Sequence, residues 1–418
     1  MTDRTDKSLA AQYEAYPYPP RDAREEAKRL VVGSPGHLLE IDYWVFGAKR
    51  PTSLPLRALF AGGGTGDGTI MLAAQLAQTD RDARVVYLDR SKASLKIAQA
   101  RAAARGLRNI DFVEGSLLDL PNLGLGLFDY IDCCGVLHHL PDPAEGLQAL
   151  LSALAPGGGM GLMVYAPHGR TGVYMVQDAL RALTPESEKP AARLEVARRV
   201  LRHLPASNWL RMNQIITDHV IGGDAGIFDL LLNPRDRAYD VTSFAALLGQ
   251  VGLAVTCWME PIRYDPQTYL PDPRLRTLAA GLDPIARAAL AEALCGNIPM
   301  HVVYCTREAD VAFRADPMAD TAVPVMRELP GQTLASAIRP DLVVPLVFDG
   351  LQLPLPLPRQ ARAILALVDG KRTVADIERD VAAAGVAPEA FRSAWSELWS
   401  RLQPINRLLL AATNQACV

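Results

Sequence analysis

The segment Leu59-Phe60-Ala61-Gly62-Gly63-Gly64-Thr65-Gly66-Asp67-Gly68 constrains this chain more than any other ten residues. An apolar run with strand character, 56–61, ends in five glycines, and a stretch of helical composition, 69–78, follows at once. Glycines at such a junction let the chain turn sharply and bring its backbone against a ligand. The free N–H groups of the helix start then favour a carboxylate or phosphate. Spacing decides between ligands. A dinucleotide fingerprint needs GxGxxG, but counting from Gly62 the sixth position is Asp67, and from Gly64 it is Thr69. The pattern fails in both frames, and a nicotinamide-dependent oxidoreductase fails with it. No Gly-Lys-Ser/Thr follows, so a Walker loop is excluded as well. What remains is GxGxG at 62, 64 and 66.

The surrounding pattern alternates strand and helix. Strands are expected at 56–61, 84–88, 109–114, 130–134 and 159–165, with helices at 69–78, 93–105 and 143–154 between them. Such alternation argues for βαβ units and a parallel sheet covered on both faces, and right-handed crossovers leave a Rossmann-like doubly wound α/β sheet as the leading topology. Two further strands are expected at 254–259 and 300–305, after helical insertions at about 170–242 and 261–298. Within the first insertion, 192–204 has apolar residues at helical spacing opposite four arginines. In the second, Asp283 caps a helix with Pro284 at its first position and an end near Gly296. Residues 308–340 carry scattered Pro, Asp and Ala without periodicity and read as a linker. Beyond them, LPLPLPR at 353–359 must be extended, because alternate prolines forbid a helix. Helices at 359–368 and 388–401, and one between them that starts at Thr373 with Asp376 as a capping-box partner, complete a small, mostly helical, winged-helix-like module over 341–418. The expected organisation is an arm or lid at 1–50, a catalytic domain at 51–307, the linker, and this module.

Motifs in order then carry a resemblance. The GxGxG loop is followed by Asp89, which ends VVYLD, and by FVEGSLLDLP at 112–121, FDYIDCCGVLHHLPDP at 128–143 and LAPGGGMGLMVY at 154–165. Over roughly 110 residues the chain resembles the class I S-adenosylmethionine-dependent methyltransferases. The resemblance implies S-adenosylmethionine as cofactor, held at Ala61, Gly62, Gly63, Gly64 and Gly66. Asp89, with Arg90 beside it, would take the ribose hydroxyls, since one carboxylate can accept from two adjacent hydroxyls. Ser116 and Leu117 would meet the adenine, and Cys134 and Gly135 would follow the fourth strand. Two positions depart from the family pattern. An acid usually stands two residues before the first motif glycine, where this chain has Phe60, so the methionine amino group must be met elsewhere. The adenine loop usually carries Asp where Ser116 stands. YPYPPR at 16–21 also looks like the segment preceding the core in some bacterial members. It makes Tyr16 or Tyr18 the expected lid over the cofactor, with Arg21 at its carboxylate; the alternative is that these aromatics only anchor the arm.

Methyl transfer is an in-line displacement in which the protein supplies position, exclusion of water and, for a protonated acceptor, a base. His138 and His139 after the fourth strand, and Tyr165 and His168 after the fifth, stand where a doubly wound sheet holds its ligands. They are the candidate catalytic residues, each weighed against a purely structural role. No metal is expected. The family's Asn-Pro-Pro-Tyr motif for nucleobase and glutamine nitrogens is replaced by Cys133-Cys134-Gly135-Val136, which disfavours those acceptors.

Composition narrows the partners. The net charge of −3 offers no basic excess to neutralise a phosphate backbone, and residues 341–418 balance eight Arg/Lys against eight Asp/Glu. Both argue against nucleic acid and leave protein docking or packing for the module. Six cysteines without CxxC spacing, a polar amino terminus and the lack of an 18-residue apolar run point to a reducing, cytoplasmic setting without a membrane span. Two functions stay open: a methyltransferase acting on a protein side chain or a small molecule, or a non-catalytic regulatory or partner-binding protein that keeps the cofactor fold.

Overall fold

The computed structural model describes residues 13–311 and 314–412; the polar terminus at 1–12 and Cys417 lie outside the described residues. The strands form where short runs of buried apolar residues alternate with helix-length stretches. In chain order they begin β1 (Leu56–Ala61), α1 (Asp67–Leu76), β2 (Ala83–Asp89), α2 (Lys92–Ala104), β3 (Ile110–Glu114), β4 (Phe128–Cys134), α3 (Pro143–Ser152) and β5 (Leu154–Tyr165). The first insertion then supplies α4 (Val173–Leu183), α5 (Pro190–His203), α6 (Trp209–Met212), α7 (Asp218–Ile221) and α8 (Gly223–Leu231). Next come α9 (Val241–Gly249), β6 (Leu253–Trp258), α10 (Pro273–Ala280), α11 (Pro284–Cys295) and β7 (Met300–Arg307).

These seven strands form one sheet in the order β3-β2-β1-β4-β5-β7-β6. The β3 to β5 strands are parallel, while β7 runs antiparallel to both β5 and β6. The order reverses direction between β1 and β4, which opens a crevice at their carboxyl ends. Asp283 caps α11 through Ile285 and Ala286, and Gly296 ends it in the left-handed region, as its sequence predicts.

The carboxyl-terminal part contains β8 (Pro324–Met326), α12 (Gly331–Ala337), β9 (Val343–Phe348), β10 (Leu351–Pro356), α13 (Ala361–Leu365), α14 (Val374–Ala383), α15 (Pro388–Leu402) and β11 (Leu408–Leu410). The proline run is extended, as expected, and forms a hairpin with β9. The Thr373–Asp376 capping box is present. The linker reading of 308–340 does not hold. β8 pairs with β11, Ala322 accepts from Val374 N, and Pro317 accepts from the Trp395 indole at 2.8 Å. This segment is tied down by backbone bonds to distant elements, so no amphipathic period marks it.

The arm is also more than a lid. Ile41, Tyr43, Trp44 and Val45 are buried in a core continuous with Trp395, Leu398 and Leu402 of α15. The Trp44 indole donates to Asn406 at 3.1 Å. Residues 33–48 thus wedge the carboxyl-terminal module onto one face of the sheet, and only the stretch near 13–21 is free to border the crevice. Among the described residues, no helix is long and apolar enough to cross a membrane.

Candidate functional site

The crevice holds a cavity of about 420 Å³ lined by the glycine loop, Asp89, Arg90, residues 115–117, Asp132, residues 134–136, His139, Tyr165 and Asp229, with Tyr13, Tyr18 and Pro19 over it. That volume lies within the usual range for a small-ligand site. A larger cleft of about 1170 Å³ runs between β6, the second insertion and the module, but it holds none of the motif residues.

The glycine loop is built for close approach. Gly62 has φ +81°, and a Cβ there would lie 2.3 Å from Val136; Gly66, at φ +98°, opens α1. Asp89 pins the loop from β2: it accepts from Gly64 N and Ser91 N, each at 2.8 Å. Each carboxylate oxygen keeps a lone pair for a hydroxyl. Burial pushes the Asp89 carboxyl above the usual range, opposed by the bonds from Ser91 and Gly64. Ser116 accepts from Leu118 N at 3.2 Å and starts the helical turn that borders the cavity.

Ala61 ends β1 just behind this lining, and Gly62, Gly63, Gly64, Gly66, Asp89, Arg90, Ser116, Leu117, Cys134 and Gly135 all line the cavity. The amino-terminal expectations divide. Tyr18 lines the cavity and donates to Asp218 of α7 at 2.7 Å. Tyr16 instead stacks on Phe228 with ring centroids 5.2 Å apart, so it anchors the arm to the insertion core. Arg21 does not line the cavity either. Its Nε donates to Asp67 at 2.8 Å, in a cluster where Arg101 holds Asp67 and the buried Glu26, each at 2.6 Å. A cation already neutralised by Asp67 is spent on fastening the arm to α1.

The proposed catalytic residues also separate. His139 and Tyr165 line the cavity. His139 Nδ1 lies 2.5 Å from the Arg235 carbonyl, which can only accept, so Nδ1 carries a proton; Nε2 lies 3.5 Å from the Asn233 amide nitrogen. His138 lies behind Tyr165, fully buried, with ring centroids 4.3 Å apart, and burial holds it well below its ordinary pKa. His168 is exposed and outside the lining. Arg170, beside it, is buried: its guanidinium lies 3.6 Å from the Tyr165 ring centroid and pairs with Asp236 at 3.1 Å. It braces Tyr165 rather than meeting solvent. His138, His139 and Asp236 bring one donor atom each within 4.8 Å of one another, but Arg170 on the Asp236 carboxylate opposes a second cation there.

Sequence reasoning missed three residues of the cavity lining. Asp229 of α8 is buried and accepts from the hydroxyls of Tyr13 and Tyr165, each at 3.1 Å. Burial raises its carboxyl above the usual range. Asp132 of β4 is buried beside Phe60, with Tyr130 donating to it at 3.0 Å. Asp229 and Asp132 each carried a signal, an acid inside an otherwise apolar run, IFDLLL and YIDCC. Tyr13 had none beyond its neighbours.

This sheet order, with a glycine loop after β1, an acid ending β2 and a reversal of β7, defines a methyltransferase-type Rossmann domain. Residues 59–160 match the family model described as Methyltransferase domain, and the sheet has the fold of the class I methyltransferases. An uncharacterised protein of Synechococcus is 32% identical over 273 residues, 64% of this chain and 63% of that protein. The tRNA 5-carboxymethoxyuridine methyltransferase of Escherichia coli is 33% identical over 40% of this chain and 65% of its own length. The chain therefore spans slightly less than two thirds of these curated relatives. PKMT2 from Rickettsia typhi, solved also in complex with AdoHcy, superposes on 91% of this chain and 78% of its own with TM-score 0.62 at 14% identity. At that identity the likeness is one of fold, and it reaches well beyond residues 59–160.

Proposed function

We propose that this protein is an S-adenosylmethionine-dependent methyltransferase whose acceptor is a protic nucleophile, an amine or hydroxyl of a protein side chain or of a small molecule. One observation carries the reading. A single cavity has the glycine loop and Asp89 at one end and the buried Asp229–Tyr13–Tyr165 group at the other. When bound, the cofactor supplies a methyl group activated by a sulfonium cation. The chain's own residues do the rest. Asp89 offers lone pairs to vicinal hydroxyls, Ser116 and Leu117 border a flat base, and Tyr18 covers the opening.

At the inner end, a carboxylate lifted by burial is a stronger base than an exposed one and is suited to take a proton from the acceptor. Tyr165 and Tyr13 hold Asp229 in place, and His139, tied to the Arg235 carbonyl, forms part of the same wall. An anionic, aromatic-lined end welcomes an N–H or O–H donor and repels a carboxylate acceptor.

Calorimetry with S-adenosylmethionine and S-adenosylhomocysteine tests the cofactor half; binding in the micromolar range is expected, and none at millimolar ligand sinks the reading. Radiolabelled methyl transfer into a lysate, split into protein and small-molecule fractions, tests the other half. Label that is base-labile in the manner of a methyl ester would overturn the amine or hydroxyl acceptor.

A further inference from the structure

The cofactor reading leaves one charge unassigned. The methionine end of S-adenosylmethionine carries an ammonium group, and the position where the family usually keeps an acid is Phe60. In the parallel pairing of β1 with β4, Phe60 stands directly beside Asp132. The two side chains share one face of the sheet: a Cβ on Gly36 would lie 3.2 Å from Asp132 Oδ2 and 3.3 Å from the Phe60 ring. Both line the cavity, with Cys134 two residues further along β4.

Asp132 has only neutral partners. Tyr130 donates at 3.0 Å, and the Cys134 thiol also hydrogen-bonds to it. Among the described residues, no Lys, Arg or His is paired with it. A nearly fully buried carboxylate facing a cavity without a cation is costly unless a ligand supplies one.

We infer that Asp132 receives the ammonium group of the cofactor's methionine moiety, so that the acid absent from β1 is provided one strand away. This rests on the cofactor reading. Phe60 then has a role of its own: it fills the vacated volume against Gly68, where a Cβ would come within 2.7 Å of its ring.

The surroundings define a pH dependence. Burial raises the Asp132 carboxyl to about 7, opposed by the bonds from Cys134 and Tyr130. Phe60 on β1 and Gly161 and Met163 on β5 carry no charge. On β7, Tyr304 accepts from Gly36 N at 3.0 Å and donates to Glu40 at 2.7 Å, and Glu40 is paired with Arg327. On α1, Asp67 is held by Arg21 and Arg101. None of these offers Asp132 a counter-charge.

The test compares two probes by calorimetry, S-adenosylhomocysteine, which has the ammonium, and 5′-methylthioadenosine, which lacks the amino-acid part. Asp132→Asn should weaken S-adenosylhomocysteine tenfold or more and leave 5′-methylthioadenosine within twofold. Equal losses for both probes, or no loss for either, overturn the assignment. Should the variant fail to fold, the wild-type protein decides. Its affinity for S-adenosylhomocysteine should fall about tenfold from pH 8 to pH 6 as the carboxylate takes a proton, with 5′-methylthioadenosine flat. Parallel pH profiles for the two probes overturn it. A wild-type protein that binds neither probe would instead sink the cofactor reading itself.

Discussion

The two ends of the cavity are built by opposite means. The proposed cofactor end comes from consecutive turns at the carboxyl ends of β1 to β4, where the cavity is lined by residues within short motifs. The proposed acceptor end joins Tyr13, Tyr165 and Asp229, drawn from the arm, the last parallel strand and an inserted helix; Tyr13 and Asp229 are 216 positions apart. A contiguous motif can be read from one sequence because the turn itself dictates the residue: Gly62 and Gly66 require positive φ, and Asp89 must close the loop. A composite wall leaves no spacing to read. That is why the glycine loop, Asp89 and the turn at Ser116 were legible as cavity lining, whereas Asp229 was passed over.

The same contrast runs through the fold. The seven strands and the cap of α11 follow from runs and capping residues, but 308–340 looked like a linker because its order depends on partners such as Val374 and Trp395. Arg21 illustrates a third case. Its position beside the lid was readable; its neutralisation by Asp67 was not.

If the two ends are separate machines, variants should divide cleanly between turnover and cofactor affinity. The largest effect is expected for Asp229→Asn, which removes the proton acceptor while keeping two hydrogen-bonding positions for Tyr13 and Tyr165. Methyl incorporation should fall by about 100-fold or more, the usual scale for a general base. S-adenosylhomocysteine affinity should stay within about threefold. Because burial raises the Asp229 carboxyl, wild-type turnover should rise with pH through a value above the ordinary aspartate range. Equal losses in both measurements would show that the two ends are one unit.

At the other end, Asp89→Ala should weaken S-adenosylhomocysteine tenfold or more, since charge-assisted hydrogen bonds are worth roughly 1.5–3 kcal/mol each. It should weaken 5′-methylthioadenosine as strongly, because both probes carry the ribose. Asp89 and Asp132 are thereby distinguished by the second probe alone.

The arm sharpens the comparison further, because its tyrosines serve different masters. Tyr18→Phe loses the bond to Asp218 and should cost a few-fold in S-adenosylhomocysteine affinity, on the scale of one hydrogen bond. Tyr16→Ala loses its stacking on Phe228 and should instead lower unfolding stability by about 1–2 kcal/mol, read from the denaturant midpoint. The reverse assignment of the two effects would mean that Tyr16 is the lid after all.

The smallest effect concerns what the cofactor end costs when it is empty. In the folded protein Asp132 titrates at about 7, above its value near 3.9 in an unfolded chain. Between those values the folded state holds a proton that the unfolded state has released. Stability from this group therefore falls as pH rises from about 4 to 7, and the loss is complete above 7. Asparagine cannot titrate. The gain in melting temperature from Asp132→Asn, measured without ligand, should thus be larger at pH 8 than at pH 6. One unit of titration, about 1.4 kcal/mol, corresponds to roughly 1–2 °C in a chain of this size. Groups that titrate in both proteins cancel in the difference. A gain equal at the two pH values would mean that the carboxylate is already compensated in the empty protein, and the cofactor end would then have no unpaired charge waiting for its ligand.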